Sequence, residues 1–132
     1  MNASCMGTYS RNKSLIYSPK YPSNYPTDGN DCTWNITTLK NNQLHLELLY
    51  FKLSICDKKK LNYVKDYVEI FDGISEKSKS LAHLCGNMLD HKGRVWSSTS
   101  NALFVRFKSK NSGKGFVFQL MVLEGIKKYF LQ

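Results

Sequence analysis

Short runs of alternating apolar and polar residues dominate this sequence, and sustained helical periodicity is nearly absent. In "QLHLELLYFKL", Leu44, Leu46 and Leu48 fall on one face, with His45 and Glu47 on the other. "DYVEIFDG" alternates and then stops at an Asp-Gly turn signal. In "ALFVRFKSK", Leu103, Val105 and Phe107 point one way, while Phe104, Arg106, Lys108 and Lys110 point the other. "GFVFQLMV" lines up Phe116, Phe118, Leu120 and Val122 as one apolar face. Period-two runs bounded by Gly, Asn, Ser and Lys clusters read as strands. At this density, without intervening helices, they predict an all-β, antiparallel two-sheet β-sandwich.

One stretch breaks the pattern. All three prolines lie in "SPKYPSNYP", interleaved with Tyr21 and Tyr25, and Tyr17 stands just before it. Each proline fixes its own φ and biases the preceding residue toward extended backbone. Tyrosines recurring every four residues, with a Cys-x-Trp anchor soon after, predict a rigid strap packed across one end of the sandwich, not a linker. Trp34 and Trp96 are expected as core anchors.

Composition narrows the class. The chain has 132 residues, 42% of them hydrophobic, which suits one domain able to bury a core. No apolar run reaches the ~20 residues of a membrane helix, so no direct membrane insertion is expected. The start lacks the charged-then-apolar pattern of a secretory leader, which points to a leader already removed or a module cut from a longer chain. Cys5, Cys32, Cys56 and Cys85 are widely spaced, without the close ligand pairs of zinc sites and without a Cys-x-x-Cys redox motif. An even, wide set fits two disulfides in an oxidising compartment, with three connectivities open. Sequons at Asn2, Asn12 and Asn35 are candidate glycosylation sites and add to the extracellular reading.

Net charge is +9. Such a balance suits an anionic partner, but the basic residues run from Arg11 to Lys128 without forming a tail. A lysine-rich soluble surface accounts for the charge as readily.

In order along the chain come Cys5 and Gly7, "SPKYPSNYP", "CTWNI", "YFKLSIC", "DYVEIFDG", "LCG", "SNALFVRFKS" and "GFVFQL". This series resembles the CUB domain, an extracellular jelly-roll β-sandwich module, from Cys5 to about Val122. The resemblance implies disulfides Cys5–Cys32 and Cys56–Cys85, each closing a loop that would stabilise the fold by about 3–4 kcal/mol. It divides the chain into a domain over 5–122, with a basic insertion at 57–65, and a tail or linker to a following domain over 123–132. Three departures from the family pattern stand out: the insertion "DKKKLNYVK" after Cys56, the missing proline after "CG" in "CGNMLDHKG", and the tail "LEGIKKYFLQ" beyond Val122.

Many members of that family hold calcium at one end of the sandwich, where it helps grip a lysine of the partner. The carboxylate positions of that pattern fall here on Ser54, Asp66 and Lys110, so only Asp66 retains its acid. Calcium needs several hard oxygens, and a unit charge of the same sign ~4 Å away opposes it by about 4 kcal/mol at an effective dielectric of roughly 20. The expectation is no metal and no cofactor, with Asp57 as the one nearby substitute carboxylate. An ion pair between Lys110 and Asp66 is expected in place of the metal.

For recognition, Arg106, Lys108 and Lys110 spaced by two form a possible basic ladder about 7 Å apart in step, and Lys58, Lys59, Lys60 and Lys65 form a second basic cluster on the insertion. The resemblance implies a non-catalytic extracellular binding module that docks a protein partner within a larger protease, receptor or matrix protein. The alternative is a free-standing, spermadhesin-like protein binding heparin-like glycosaminoglycans through its basic surface. His45, His83 and His91 sit in no nucleophile-elbow or zincin pattern, so no catalytic residue is expected. A disulfide-linked, glycosylatable module without a recognition motif is not expected to meet nucleic acid.

Overall fold

The computed structural model describes residues 6–8, 14–27, 29–54, 56, 65–88 and 93–125. Among them nine strands form, all paired antiparallel: β1 (Met6–Thr8), β2 (Ser14–Tyr17), β3 (Asn30–Thr37), β4 (Gln43–Lys52), β5 (Tyr67–Asp72), β6 (Lys79–Leu84), β7 (Val95–Ser97), β8 (Ala102–Ser109) and β9 (Gly115–Leu123). They make two sheets, ordered β1-β2-β9-β4-β7 and β3-β8-β5-β6. The two-sheet, all-β expectation holds.

The alternation read from the sequence chooses which faces meet. Leu44, Leu46 and Leu48 are fully buried on β4, as are Leu103, Val105 and Phe107 on β8. A β-bulge between Leu48 and Tyr50 then shifts the phase of β4. One extra residue reverses which side chains face inward, so Phe51 and Leu53 enter the core while Tyr50 and Lys52 turn outward. Phe116 sits at the centre, with Phe107, Phe118, Trp34 and Phe51 rings at 5.0, 5.7, 5.9 and 6.1 Å. Trp34 and Trp96 are core residues, as expected. The apolar face of β9 fades at its end: Val122 is 50% exposed, because β2 pairs with β9 only as far as Leu120. β9 continues to Leu123, one residue into the expected tail.

The Cys56–Cys85 disulfide lies among the described residues and ties the segment after β4 to the end of β6. Cys5, the expected partner of Cys32, lies outside them. Cys32 is fully buried on β3.

Register fixes which strand ends share an end of the sandwich. Tyr17 opposes Val117, Lys52 opposes Gly115, Asn30 opposes Ser109, and Tyr67 opposes Lys108. The strap 18–27, the segment after β4, the approach to β5 and the β8–β9 turn therefore meet at one end. The strap is ordered and packed, as predicted, and its Tyr21–Pro22 peptide is cis.

Candidate functional site at the strap end

A buried tyrosine–aspartate pair organises this end. Tyr25, directly before Pro26, is the strap tyrosine that turns inward, with none of its surface exposed. Its ring meets Phe107 edge-on at 5.2 Å. Its hydroxyl donates to Asp66 Oδ2 at 2.7 Å and accepts from the Ser54 backbone N–H at 3.2 Å. Its own backbone is held from the other side: the Tyr25 N–H donates to the Gly113 carbonyl at 3.0 Å, and Ser112 Oγ donates to the Tyr25 carbonyl at 2.6 Å. Gly113 must be glycine here, since a Cβ would run into the Tyr25 ring.

Asp66 is only 3% exposed. Its Oδ1 accepts from the backbone N–H groups of Lys110 and Asn111 at 2.8 and 3.1 Å, with Asn111 Nδ2 at 3.4 Å. A buried carboxylate is tolerated only when hydrogen-bonded, and here both oxygens have donors. Ser54 Oγ completes the ring of contacts by donating to the Ser112 carbonyl at 2.8 Å.

The three positions singled out in the sequence, Ser54, Asp66 and Lys110, do converge. The expected Lys110–Asp66 ion pair does not form, because Lys110 gives Asp66 its backbone N–H while its side chain is exposed. Two peptide N–H groups in a tight turn reach a buried oxygen that a long, strongly hydrated ammonium reaches only by losing water. Asp57 lies outside the described residues.

The basic ladder is also rearranged. Arg106 on β8 forms a two-pronged pair with Asp31 of β3, Nη2 to Oδ2 at 2.9 Å and Nε to Oδ1 at 3.1 Å, and pairs with Glu76 as well. The Arg106 guanidinium holds the Asp31 carboxyl below the usual carboxylate range. Lys108 lies half-buried between Asp31 and Tyr67 in register, and Lys110 falls beyond the end of β8. Arg106 is thus occupied within the protein, and no three-rung ladder runs along the strand. Lys65 is exposed; Lys58, Lys59 and Lys60 lie outside the described residues. Asn35 is exposed on the outward face of β3, while Asn2 and Asn12 lie outside the described residues.

His83 stacks on Tyr67 at 4.5 Å, on the outward face of the four-stranded sheet. His45 lies on the outward side of β4, and His91 is outside the described residues. Two clefts, of about 470 and 300 Å³, are lined by residues 33–37 with Leu120 and by residues 40–43 with 99–101. Neither set includes a histidine, cysteine or carboxylate. Sequence reasoning did not find Tyr25 or Asn111. The period-four tyrosines marked the strap without telling which one turns inward, and Asn111 acts largely through its backbone.

The CUB domain family model matches residues 5–121. This chain belongs to the CUB family. It is 36% identical over 117 residues to rat cubilin, covering 89% of this chain and 3% of that protein. It is 36% identical over 104 residues to human tolloid-like protein 1, covering 77% of this chain and 10% of that protein. The CUB1-EGF-CUB2 region of human MASP-1/3 superimposes with a TM-score of 0.70 at 26% identity, over 89% of this chain and 44% of that one. The chain thus spans a small fraction of the curated relatives it matches. As a CUB domain it is a non-catalytic, extracellular binding module of the kind found within larger secreted or membrane-anchored proteins.

The buried hydroxyl yields a test. Burial, then the neighbouring Asp66, pushes the Tyr25 hydroxyl well above its ordinary value. Above pH of about 10 an unfolded tyrosine loses its proton while the folded one keeps it, so this group's contribution to stability falls as pH rises. Tyr25→Phe should cost about 1–3 kcal/mol at pH 7, by leaving Asp66 Oδ2 without its donor. The gap to the unmodified protein should narrow above pH of about 10. Urea unfolding across pH checks this; a gap that does not change with pH contradicts it.

Proposed function

We propose that this CUB domain docks a protein partner through the loops of the strap end, and that it does so without calcium. The observation carrying the reading is the saturation of Asp66. Its two oxygens already accept from Tyr25, Lys110 and Asn111. The two other positions of the family's calcium pattern hold a serine and a lysine. A calcium ion would have to displace peptide donors from the one carboxylate left, and would gain few of the six to eight oxygens it needs.

A second disulfide supports the rigidity of this platform. Cys32 is disulfide-bonded, and with Cys56 and Cys85 joined to each other, Cys5 is the cysteine left to it. On this reading residues 5–122 form the module, with 57–65 a basic insertion in it, and 123–132 a tail or a linker to a following domain. Asn35, exposed in its sequon, would carry any glycan well along β3 from the docking loops.

The net charge of +9 supports a second ligand class, a heparin-like glycosaminoglycan. The support comes from the lysines of the insertion and not from β8, where Arg106 is already paired.

The melting temperature should be the same in millimolar calcium and in a chelator; a rise of several degrees on adding calcium would sink the calcium-independent reading. On the charge, the salt that elutes the domain from heparin should equal the salt that elutes it from a plain cation exchanger. Retention on heparin well beyond the exchanger, at salt above physiological, would instead establish an organised sulfate site.

A further inference from the structure

Among the described residues the charge is not evenly placed. Among the described residues of the strap-end loops and strand tips stand Lys20, Lys52, Lys65, Lys110 and Lys114. All are exposed except Lys52, which is half-buried, and none makes an ion pair among the described residues. Of the carboxylates described on those loops and strand tips, Asp66 is buried with its oxygens on inward donors, and Asp31 of β3 is taken up by Arg106. The opposite end mixes both signs, with Lys40, Lys77 and Lys79 beside Asp72, Glu76 and Glu124. Among the described residues the two ends therefore differ in charge balance. Internal capture of Asp66 by neutral donors leaves the neighbouring lysines without a facing anion.

An apolar component lies beside these charges. Tyr21 rests between Tyr17 and Tyr50, with ring centroids 6.1 and 6.0 Å away, and all three are half-buried. Lys20 precedes Tyr21. Lys52 shares the outward face of β4 with Tyr50, and Lys114 adjoins Gly115, the register partner of Lys52. Half-exposed tyrosines beside dispersed lysines fit a protein surface, where aromatic anchors supply contact area and rim charges supply steering. A sulfated chain would be gripped best by arginine forks. The arginines among the described residues lie elsewhere, Arg106 with Asp31 and Arg94 over Trp96.

We infer that the strap end is a docking surface for an acidic segment of a partner protein, held by Lys20, Lys52, Lys65, Lys110 and Lys114, with the Tyr17–Tyr21–Tyr50 patch beside Lys20 and Lys52 on the five-stranded-sheet side. The inference rests on the proposed function and gives it a polarity: this protein supplies the cations, and the partner supplies carboxylates.

The test uses poly-L-glutamate as probe, titrated into the domain at physiological salt, with and without calcium. Lys110→Glu with Lys114→Glu reverses charge at the strap end; Lys40→Glu with Lys79→Glu makes the same change in net charge at the other end. All four side chains are exposed, and thermal melting checks that both variants fold. The strap-end pair should weaken binding about tenfold, and the opposite pair less than about twofold, since only local charge faces the probe. Equal losses in both variants would mean attraction by net charge alone and overturn the inference. So would heparin binding with no measurable polyglutamate binding. A requirement for calcium, with the strap-end pair still selective, would instead sink the calcium-independent reading and leave the polarity standing.

Discussion

The hydrogen bond from Tyr25 to Asp66 is the contact on which the strap end depends. It joins the strap to the approach of β5, and each partner is fixed in turn by a second set of loops. Tyr25 is held at its backbone by Ser112 and Gly113 and at its hydroxyl by Ser54. Asp66 is held by the peptide groups of Lys110 and Asn111. Four loops from two sheets are thereby fastened around one buried side-chain pair. A half-satisfied buried carboxylate would be costly, whereas a fully satisfied one specifies a single arrangement of the loops. That arrangement decides which side chains the end presents.

The same contact explains the electrostatics of the surface. Because neutral donors, and not a lysine, satisfy Asp66, the Lys110 side chain is left exposed. Along β8 the opposite solution is used: Arg106 is neutralised by Asp31 and Glu76, and the middle of the four-stranded sheet is quiet. The charge balance of the described strap end follows from these two local choices more than from overall composition.

Most of the fold could be read from alternation alone. Leu44, Leu46, Leu48, Leu103, Val105 and Phe107 all went to the core because a sandwich leaves period-two residues nowhere else to bury. The strap was legible because three prolines and three tyrosines leave few backbone choices. Less was legible where backbone groups do the work. Period two carried through β4 would have put Leu48 and Tyr50 on one face, and the bulge between them leaves no composition signal. Lys110 illustrates the same limit at the site: its side chain suggested an ion pair, but its N–H is what Asp66 uses. Arg106 was legible as a cation but not as an occupied one, since Asp31 and Glu76 come from distant segments. The family resemblance located Ser54, Asp66 and Lys110 together; the residue that binds them into one unit, Tyr25, emerged only from the packing.

The central claim is that Tyr25 and Asp66 act as one unit that fastens the strap end without metal. A double-mutant cycle of Tyr25→Phe and Asp66→Ala, measured by urea unfolding in the presence of a chelator, tests it directly. The account predicts a coupling energy of about 1–3 kcal/mol between the two positions. Additive effects, agreeing within about 0.5 kcal/mol, would contradict it.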